Sequence, residues 1–303
     1  MGATLEAEPT TQPADPFVGD AKLLVAKDAT VQKLAGGMKF TEGPAWLNRD
    51  GGFLILSDQP NNALNRWDPA GGLKTYRQPS NVSNGNFALP GGAFLCCEQA
   101  IRSVTRHEAD GKTITVLVDR HSDRKKFHSP NDVVQKSDGT IWFTDPPYGL
   151  PKGQTKEYAG QWVFCFDPKT KTVKPVAQDF DMPNGLCFSP DESKLYIADS
   201  GKPHHVRVFD VQPDNTLQGG SVFCVIDKGV PDGMRCDTNG RLWSTAGDGI
   251  QIFSTEGKLI GRILTPETAA NCCWGGPRGT TLFITAVKSL YAVETVETSG
   301  EKK

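Results

Sequence analysis

Six short apolar runs recur along the chain, each rich in the aliphatic, β-branched and aromatic residues that favour strands. A glycine-bearing turn precedes most of them, and the fourth copy has Asp191-Glu192-Ser193 there. A polar residue, which we name the lead residue of its copy, stands before each turn. The runs are Phe53-Leu54-Ile55-Leu56, Ala93-Phe94-Leu95-Cys96, Ile141-Trp142-Phe143-Thr144, Leu195-Tyr196-Ile197-Ala198, Leu242-Trp243-Ser244-Thr245 and Leu282-Phe283-Ile284-Thr285. The lead residues are Glu42, Asn84, Asn131, Asn184, Asp232 and Asn271.

The spacing of the lead residues indicates a repeat protein. They are 42, 47, 53, 48 and 39 residues apart. A period in this range, with several strands in each unit, is typical of β-propeller blades. Second strands are visible as well, for example from Val206 to Asp210, and they end at turn-forming residues. The pattern therefore predicts an all-β, six-bladed β-propeller in which the six lead residues meet around one axis.

The two ends of the chain suggest how the ring closes. Residues 1–20 carry Pro9, Pro13 and Pro16 among polar residues, which predicts a disordered tail, and residues 21–303 are expected to form a single domain. The last copy is short, so we expect an N-terminal strand over Thr30–Leu34 to complete the last blade and protect its edge. One connection, over 146–161, is long enough to predict a lid or rim loop.

Composition and charge narrow the partners. A net charge of −2 gives no reason to expect nucleic acid or an anionic membrane as a partner. The sequence contains no run of 18 apolar residues and no secretory signal, so we expect a cytoplasmic protein. The eight cysteines show no CxxC spacing, and the adjacent pair Cys96-Cys97 lies in a strand-like run where neighbours point to opposite faces. Free thiols in a reducing compartment are therefore expected.

The lead residues predict a metal site on the axis. Together they offer two carboxylates and four amides, which are hard oxygen ligands. Ca²⁺ takes about six to eight such oxygens, Mg²⁺ is an alternative that tolerates fewer protein ligands, and zinc or copper would want imidazole or thiolate. A single Asn-Gly or Asp-Gly pair is a common turn signal. However, Glu42, Asn131, Asn184 and Asp232 share one register and three of them follow proline, which favours one divalent cation, and the ligand chemistry favours calcium.

Several motifs resemble the regucalcin, gluconolactonase and luciferin-regenerating enzyme family. They are Thr41-Glu42-Gly43-Pro44, Ser129-Pro130-Asn131-Asp132, Phe143-Thr144-Asp145-Pro146-Pro147-Tyr148-Gly149, Met182-Pro183-Asn184-Gly185, Pro231-Asp232-Gly233-Met234 and Asn271-Cys272-Cys273-Trp274-Gly275-Gly276. The resemblance implies a six-bladed propeller with one axial divalent cation held by Glu42, Asn184 and Asp232. It also implies that Asn131 contacts metal, substrate or both. The motif that begins at Phe143 is closest to bacterial-type gluconolactonases.

The resulting expectation is a metal-dependent lactonase that opens a sugar lactone such as glucono-1,5-lactone. The cation would polarise the carbonyl, and Asp232 would act as general base or as hydrogen-bond partner of the attacking hydroxide. Asn131, His128 and Tyr148 are the predicted substrate-binding residues. The alternatives are a related metal-dependent hydrolase of another lactone or of a phosphotriester, and a non-catalytic propeller that binds calcium or a protein partner.

Overall fold

Residues 15–302 are described by a computed structural model of the chain. The described chain begins with strand β1 (Phe17–Gly19), helix α1 (Ala21–Leu24) and strand β2 (Gln32–Ala35). Three short 3₁₀ helices follow among the later strands, at Gln59–Asn61, Pro90–Gly92 and Gln99–Ile101. From Asp15 to Lys302, no helix is long and apolar enough to span a membrane.

The remaining strands form six antiparallel sheets, and each is one blade. Blade one holds β3 (Thr41–Leu47), β4 (Phe53–Asp58), β5 (Ala63–Asp68) and β6 (Gly72–Arg77), and blade two holds β7 (Ser83–Ala88), β8 (Phe94–Glu98), β9 (Ser103–His107) and β10 (Ile114–Val118). Blade three holds β11 (Val133–Gln135), β12 (Ile141–Asp145), β13 (Gln161–Asp167) and β14 (Thr172–Phe180), and blade four holds β15 (Pro183–Phe188), β16 (Lys194–Asp199), β17 (His205–Val211) and β18 (Leu217–Val225). Blade five holds β19 (Met234–Cys236), β20 (Leu242–Ala246), β21 (Gly249–Phe253) and β22 (Leu259–Leu264), and blade six holds β23 (Ala269–Gly275), β24 (Thr281–Ala286) and β25 (Ser289–Glu294).

The blades are arranged as a closed ring. The first strand of each blade contacts the first strand of the next, in the order β3, β7, β11, β15, β19 and β23, and β23 returns to contact β3. These first strands line the axis, and every residue of β3 and β23 is buried. Burial on both faces explains why their sequences lack the alternation of a half-exposed strand. The predicted six-bladed β-propeller is confirmed.

The ring closes as predicted, at slightly different residues. Strand β2 pairs antiparallel with β25, with Gln32 opposite Ala292, and makes the fourth strand of blade six. The prediction placed this strand at Thr30–Leu34, two residues too early at its start. Strand β2 thereby pairs with the hydrogen-bonding groups on the outer edge of β25. The outermost strand of blade six is therefore β2 and not β25.

The boundary of the predicted N-terminal tail needs a correction. Its residues 1–14 lie outside the described residues, but Phe17–Gly19 is a strand that pairs with β22 and adds a fifth strand to blade five. Phe17 is opposite Ile263, and both side chains belong to one buried apolar cluster. This burial gives a reason for order that the polar composition of the segment hides, because three residues are too few to show a period.

Aromatic contacts join neighbouring blades. Trp46 of blade one stacks on Phe283 of blade six, with ring centroids 5.4 Å apart. Trp142 of blade three meets Phe188 of blade four edge to face at 5.5 Å. Such pairs contribute about 0.5–1.5 kcal/mol each beyond the area they bury. They hold the blades in a fixed angular relation, which in turn fixes the positions of the lead residues on the axis.

Candidate metal centre

The lead residues lie where the pairing of the inner strands is interrupted. In blades one, two, four and six the pairing between first and second strand shifts at Glu42–Ala45, Ser83–Asn86, Pro183–Leu186 and Ala269–Asn271. In blades three and five the first strand begins only after the lead residue, at Val133 and Met234. A bulge or strand start redirects a side chain away from the sheet faces. The repeated interruption therefore turns the lead side chains towards the axis.

The glycine after a lead residue allows the close approach of the next blade. A Cβ on Gly185 would lie 2.8 Å from the Cα of Gly233 and 3.0 Å from the carbonyl carbon of Asp232. A Cβ on Gly43 would lie 2.8 Å from the backbone nitrogen of Asn86, and Gly43 also has a φ of +50°. Contacts of this kind are normally at least 3.4 Å. The glycines of the repeated motif thus permit inner strands to pack tightly enough for their side chains to meet.

A pair of carboxylates, of which Glu42 is buried and Asp232 partly exposed, forms the middle of the site. The side chains of Glu42 and Asp232 lie against each other, although they come from blades one and five. Glu42 Oε2 also accepts hydrogen bonds from the backbone nitrogen of Gly43 at 3.0 Å and from Asn271 Nδ2 at 3.2 Å. Burial, followed by the negative charge of Asp132, raises the pKa of Glu42 to about 7. Burial and the neighbouring charge of Glu42 raise the pKa of Asp232 well above its ordinary value.

Two such carboxylates cannot both be ionised in contact without a compensating positive charge. Either a proton bridges them or a cation lies against them. The second possibility suits the surrounding groups, because neutral amides rather than ammonium or guanidinium groups adjoin Glu42 and Asp232, and each amide also carries an oxygen. A hard divalent cation is the ion that such carboxylate and amide oxygens prefer.

The amides occupy the same ring. Asn184 is 6% exposed and contacts Asp232, and its Nδ2 donates to Ser200 Oγ at 3.0 Å. Asn131 is also 6% exposed, and its carbonyl accepts a hydrogen bond from the backbone nitrogen of Gly85 at 2.8 Å, which anchors it to blade two. Asn84 is buried, and its Oδ1 has no hydrogen-bond partner within residues 15–302. An unpartnered buried amide oxygen is a group that a bound cation or water would satisfy.

Three carboxylates hold the segments that lead into three of these residues. Each lies at the end of the second strand of its blade and accepts hydrogen bonds from the two backbone nitrogens three and two positions before the lead residue. The pairs are Asp58 with Lys39 (3.2 Å) and Phe40 (3.3 Å), Asp145 with His128 (2.6 Å) and Ser129 (2.8 Å), and Asp199 with Asp181 (2.9 Å) and Met182 (2.8 Å). These hydrogen bonds fix the approach of the chain to Glu42, Asn131 and Asn184.

Tyr148 reaches the site from the long connection of blade three. Its side chain lies close to those of Ser200 and Asn184, and the residue is 49% exposed. Burial of the hydroxyl raises the pKa of Tyr148 to about 12, so it is a donor at neutral pH. The loop is tied down behind it, because the backbone nitrogen of Gly149 donates to Ser129 Oγ at 2.9 Å. Tyr148 therefore lies between the carboxylate pair and solvent.

The structure does not place His128, one of the predicted substrate-binding residues, where a substrate could reach it. The residue has no exposed surface, and its ring stacks on Tyr158 with centroids 4.0 Å apart. Its Nε2 is 3.3 Å from the carbonyl oxygen of Tyr158, and burial lowers the pKa of His128 to about 4. Tyr158 also donates to Asp145. The buried contacts of His128 and Tyr158 thus anchor the 146–161 connection to the blade. Sequence spacing could not reveal this arrangement.

A second buried charge group adjoins the site. Arg235 is 2% exposed, and its guanidinium lies 3.9 Å from Asp132 Oδ2 and 3.0 Å from Glu301 Oε1. Glu301 belongs to the C-terminal segment, where the backbone nitrogen of Gly300 donates to the carbonyl of Cys236 at 2.9 Å. Asp232 precedes the start of β19 and Cys236 ends it, so the segment lies at the other end of the inner strand. Sequence reasoning missed this group because its members are far apart in the chain.

Cys96, Glu98 and His107 form another cluster of potential ligands, with ligand atoms within 4.8 Å of one another. The guanidinium of Arg77 donates to Glu98 Oε1 at 2.6 Å and already neutralises this carboxylate. Burial acts to raise the pKa of Glu98, but hydrogen bonds from His107, Asn81 and Arg77 lower it to about 2. Burial raises the pKa of the Cys96 thiol, which disfavours the thiolate a metal would need. We therefore assign this cluster a structural role in blade two.

The geometry defines an axial, oxygen-rich centre in a six-bladed propeller, and comparison with known proteins gives its family. The model of the SMP-30/gluconolactonase/LRE-like region matches residues 40–288. The chain belongs to this family, and the resemblance seen in the sequence motifs is confirmed.

Individual relatives agree with this placement. The gluconolactonase of Zymomonas mobilis is 30% identical over 292 residues, which cover 88% of this chain and 81% of that protein. The pentonolactonase XacC of Haloferax volcanii is 25% identical, with 80% of each chain covered. The solved structure of a Xanthomonas campestris gluconolactonase superposes with a TM-score of 0.86 at 33% identity, and covers 93% of this chain and 95% of that one.

Proposed function

We propose that this protein is a metal-dependent lactonase that hydrolyses a sugar lactone, glucono-1,5-lactone or a close aldonolactone, to the aldonic acid. The observation that carries the proposal is the contact between Glu42, which is buried, and Asp232, which is partly exposed, with amide side chains beside them. The gluconolactonase and pentonolactonase relatives support the substrate class. Eight buried free cysteines fit a reducing compartment, so we propose a cytoplasmic enzyme of carbohydrate metabolism.

Glu42, Asp232 and Asn184 would hold one divalent cation, most simply Ca²⁺, with Asn131 as a further oxygen ligand or a contact to substrate. The fit follows from charge: the cation would remove the need for a proton between Glu42 and Asp232. When bound, a divalent ion supplies Lewis-acid polarisation of the lactone carbonyl. The positions of the side chains determine the other parts of the reaction.

Asp232 is the proposed general base. It is partly exposed, whereas Glu42 is 4% exposed, so of the two carboxylates it is the one that water can reach. Water attacks the carbonyl carbon, its proton passes to Asp232, the bond from that carbon to the ring oxygen breaks, and the ring oxygen takes up a proton. The hydroxyl of Tyr148, which stays protonated at neutral pH, would donate a hydrogen bond to a sugar hydroxyl.

The first test joins metal analysis to turnover. We expect one divalent cation for each chain after purification, and loss of lactonase activity on chelation that Ca²⁺ restores. Activity is the initial rate of acid release from glucono-1,5-lactone in a pH-stat, corrected for spontaneous ring opening. Full activity in protein that holds no stoichiometric metal would contradict the proposed centre.

The second test concerns Asp232. We expect Asp232→Asn to lose on the order of 10²-fold or more in kcat, because an amide keeps the shape of the side chain but cannot accept the proton. Asp210→Asn is the matched control, since Asp210 is an exposed residue that pairs with Lys194 away from the axis. Unchanged turnover in Asp232→Asn with metal still bound would show that the carboxylate is a ligand and not the base.

The third test separates the alternatives. We expect kcat/KM for the aldonolactone to exceed that for an acyl-homoserine lactone or a phosphotriester by at least about tenfold, or roughly 1.4 kcal/mol of transition-state binding. The polar surroundings of the site favour a substrate with several hydroxyls over one with a long acyl chain. A phosphotriester preference would support the related hydrolase instead. Metal binding without turnover of any of these substrates would support a calcium-binding propeller.

A further inference from the structure

We infer that Ser200 is a positioning residue that fixes which way the amide of Asn184 faces, so that its oxygen and not its nitrogen is available on the axis. The inference rests on the proposed metal centre. It assigns a role to a residue that neither the sequence motifs nor the ligand set includes. Ser200 follows the strand β16 and directly follows Asp199, whose carboxylate holds the backbone ahead of Asn184.

The argument starts from the hydroxyl of Ser200. Its oxygen lies 2.5 Å from the carbonyl oxygen of Pro231 and 3.0 Å from the side-chain nitrogen of Asn184. A backbone carbonyl can only accept a hydrogen bond, and a serine hydroxyl has a single proton to donate. The proton of Ser200 is therefore committed to Pro231. Its oxygen can then only accept from whichever atom of Asn184 faces it.

The orientation of Asn184 follows from this accounting. An acceptor at Ser200 requires the Nδ2 group of Asn184 on that side, because two oxygens facing each other with no proton between them would repel. The Oδ1 atom is then directed away from Ser200. Asn184 is 6% exposed, so it has little water to replace a lost partner. A flipped amide would present hydrogen atoms to the cation and would remove one of the few neutral oxygen ligands.

Ser200 also links two ligands. Pro231 directly precedes Asp232, so the same hydroxyl is bonded to the chain of blade five and to the side chain of blade four. The side chain of Tyr148 also lies close to Ser200. Groups that orient metal ligands in this way commonly contribute 10–100-fold to metal affinity. We expect Ser200 to act through such contacts and not by touching the substrate.

The test is a double-mutant cycle read by Ca²⁺ affinity. Ca²⁺ alone is titrated calorimetrically into metal-free protein, for the wild type, Ser200→Ala, Asn184→Asp and the double variant. A carboxylate has an oxygen on both sides, so the Asn184→Asp background has no orientation to lose. We expect Ser200→Ala to weaken Ca²⁺ binding by about 10–100-fold when Asn184 is present. In the Asn184→Asp background we expect the same substitution not to weaken binding, because the serine oxygen, its proton donated to Pro231, can only oppose a carboxylate oxygen there.

Two further variants complete the design. Ser200→Thr keeps the hydroxyl and should keep most of the affinity. Tyr148→Phe removes the tyrosine hydroxyl near Ser200 but leaves the hydrogen bonds of Ser200 to Pro231 and Asn184. The Ca²⁺ affinity of this variant should therefore stay within about threefold of wild type. Each protein is also melted without metal, to exclude unfolding as the cause of weaker binding.

Each outcome is decisive. An equal loss of affinity in both backgrounds would overturn the inference, because Ser200 would then act through the local backbone. Unchanged affinity in Ser200→Ala would overturn it as well. Both of these results leave the proposed metal centre intact. If the wild type binds neither Ca²⁺, Mg²⁺ nor Mn²⁺, the metal centre itself is wrong and the role of Ser200 falls with it.

Discussion

Substitution of Gly185 by alanine tests whether close packing of the blades on the axis sets the geometry of the site. The added methyl group would lie 2.8 Å from the Cα of Gly233 and 3.0 Å from the carbonyl carbon of Asp232. Ordinary contacts of this kind begin at 3.4 Å. Because interiors are close-packed and the closest clash of all is with the backbone carbonyl oxygen of Asp232, blade five must retreat by roughly 1 Å. The backbone of Gly185 is not in the left-handed region, so the cost is steric and not conformational.

This retreat moves Asp232, and its effects on stability and on the reaction rate can be estimated. Overpacking of this kind costs about 1–3 kcal/mol of stability. A misplacement of about 1 Å can reduce the rate by about 10²-fold, which corresponds to roughly 2.7 kcal/mol in the activation barrier. We therefore expect Gly185→Ala to fold, to melt at a lower temperature and to lose most of its kcat/KM. Thermal unfolding and the pH-stat assay with glucono-1,5-lactone measure the two effects.

Gly36→Ala is the matched control for this experiment. Gly36 is exposed and also has no left-handed backbone, and the atoms nearest to its added methyl all belong to side chains, the closest being Lys33 Cε at 2.9 Å, near the flexible end of that side chain. We expect this variant to behave as wild type. If Gly185→Ala matched Gly36→Ala in both melting temperature and activity, the tight axial contact between blades four and five would be refuted. Loss of stability with full activity would show that Asp232 does not need its present position.

Two further predictions concern charge. The pKa of His128 is lowered from 6.5 to about 4, so the stability that the fold has above pH 6.5, where the ring is neutral, falls by about 3 kcal/mol as the pH decreases towards 4. His128→Phe keeps the stacking on Tyr158 and should unfold with a flatter pH dependence in that window by urea titration; an unchanged pH profile would exclude His128 as the cause. Arg235→Met leaves Asp132 and Glu301 without their buried cation and should cost about 3–5 kcal/mol in urea unfolding. If the loss were below 1 kcal/mol, the C-terminal segment would not depend on this pairing.

The sequence could predict the architecture because the repeat is written in residues that face the axis. Glu42, Asn184 and Asp232 occur at the same position of a repeated strand-forming unit. A ring of six such units brings equivalent positions together on the axis. The structure adds the direct contact between Glu42 and Asp232 and the contact of Asn184 with Asp232. A glycine follows each of these residues, and it also indicates the ring, because the neighbouring blade leaves no room for a side chain at that position.

The parts that could not be predicted depend on contacts without a period. His128 directly precedes the motif Ser129-Pro130-Asn131-Asp132, and this position predicts a contact with substrate. Stacking on Tyr158 buries it instead. The strand at Phe17–Gly19 is too short to show alternation, and only the edge of β22 makes it a strand. Glu301 meets Arg235 because the C-terminal segment returns to blade five, and nothing local to either residue indicates that return. Tertiary contacts decide each of these cases.

Closure of the ring and assembly of the centre are two aspects of one event. Strand β2 pairs with β25, and six residues after β2 ends the chain enters blade one at Thr41, just before Glu42. Across this seam Asn271 of blade six donates to Glu42 at 3.2 Å, and across the ring Glu42 contacts Asp232 of blade five. The raised pKa values of Glu42 and Asp232 record the free energy stored when burial brings these carboxylates together. A bound cation would release that free energy. It would also hold blade one, through Glu42, to blades four and five. The site therefore belongs to no single blade, and the closing strand supports the chemistry although it lies away from the axis.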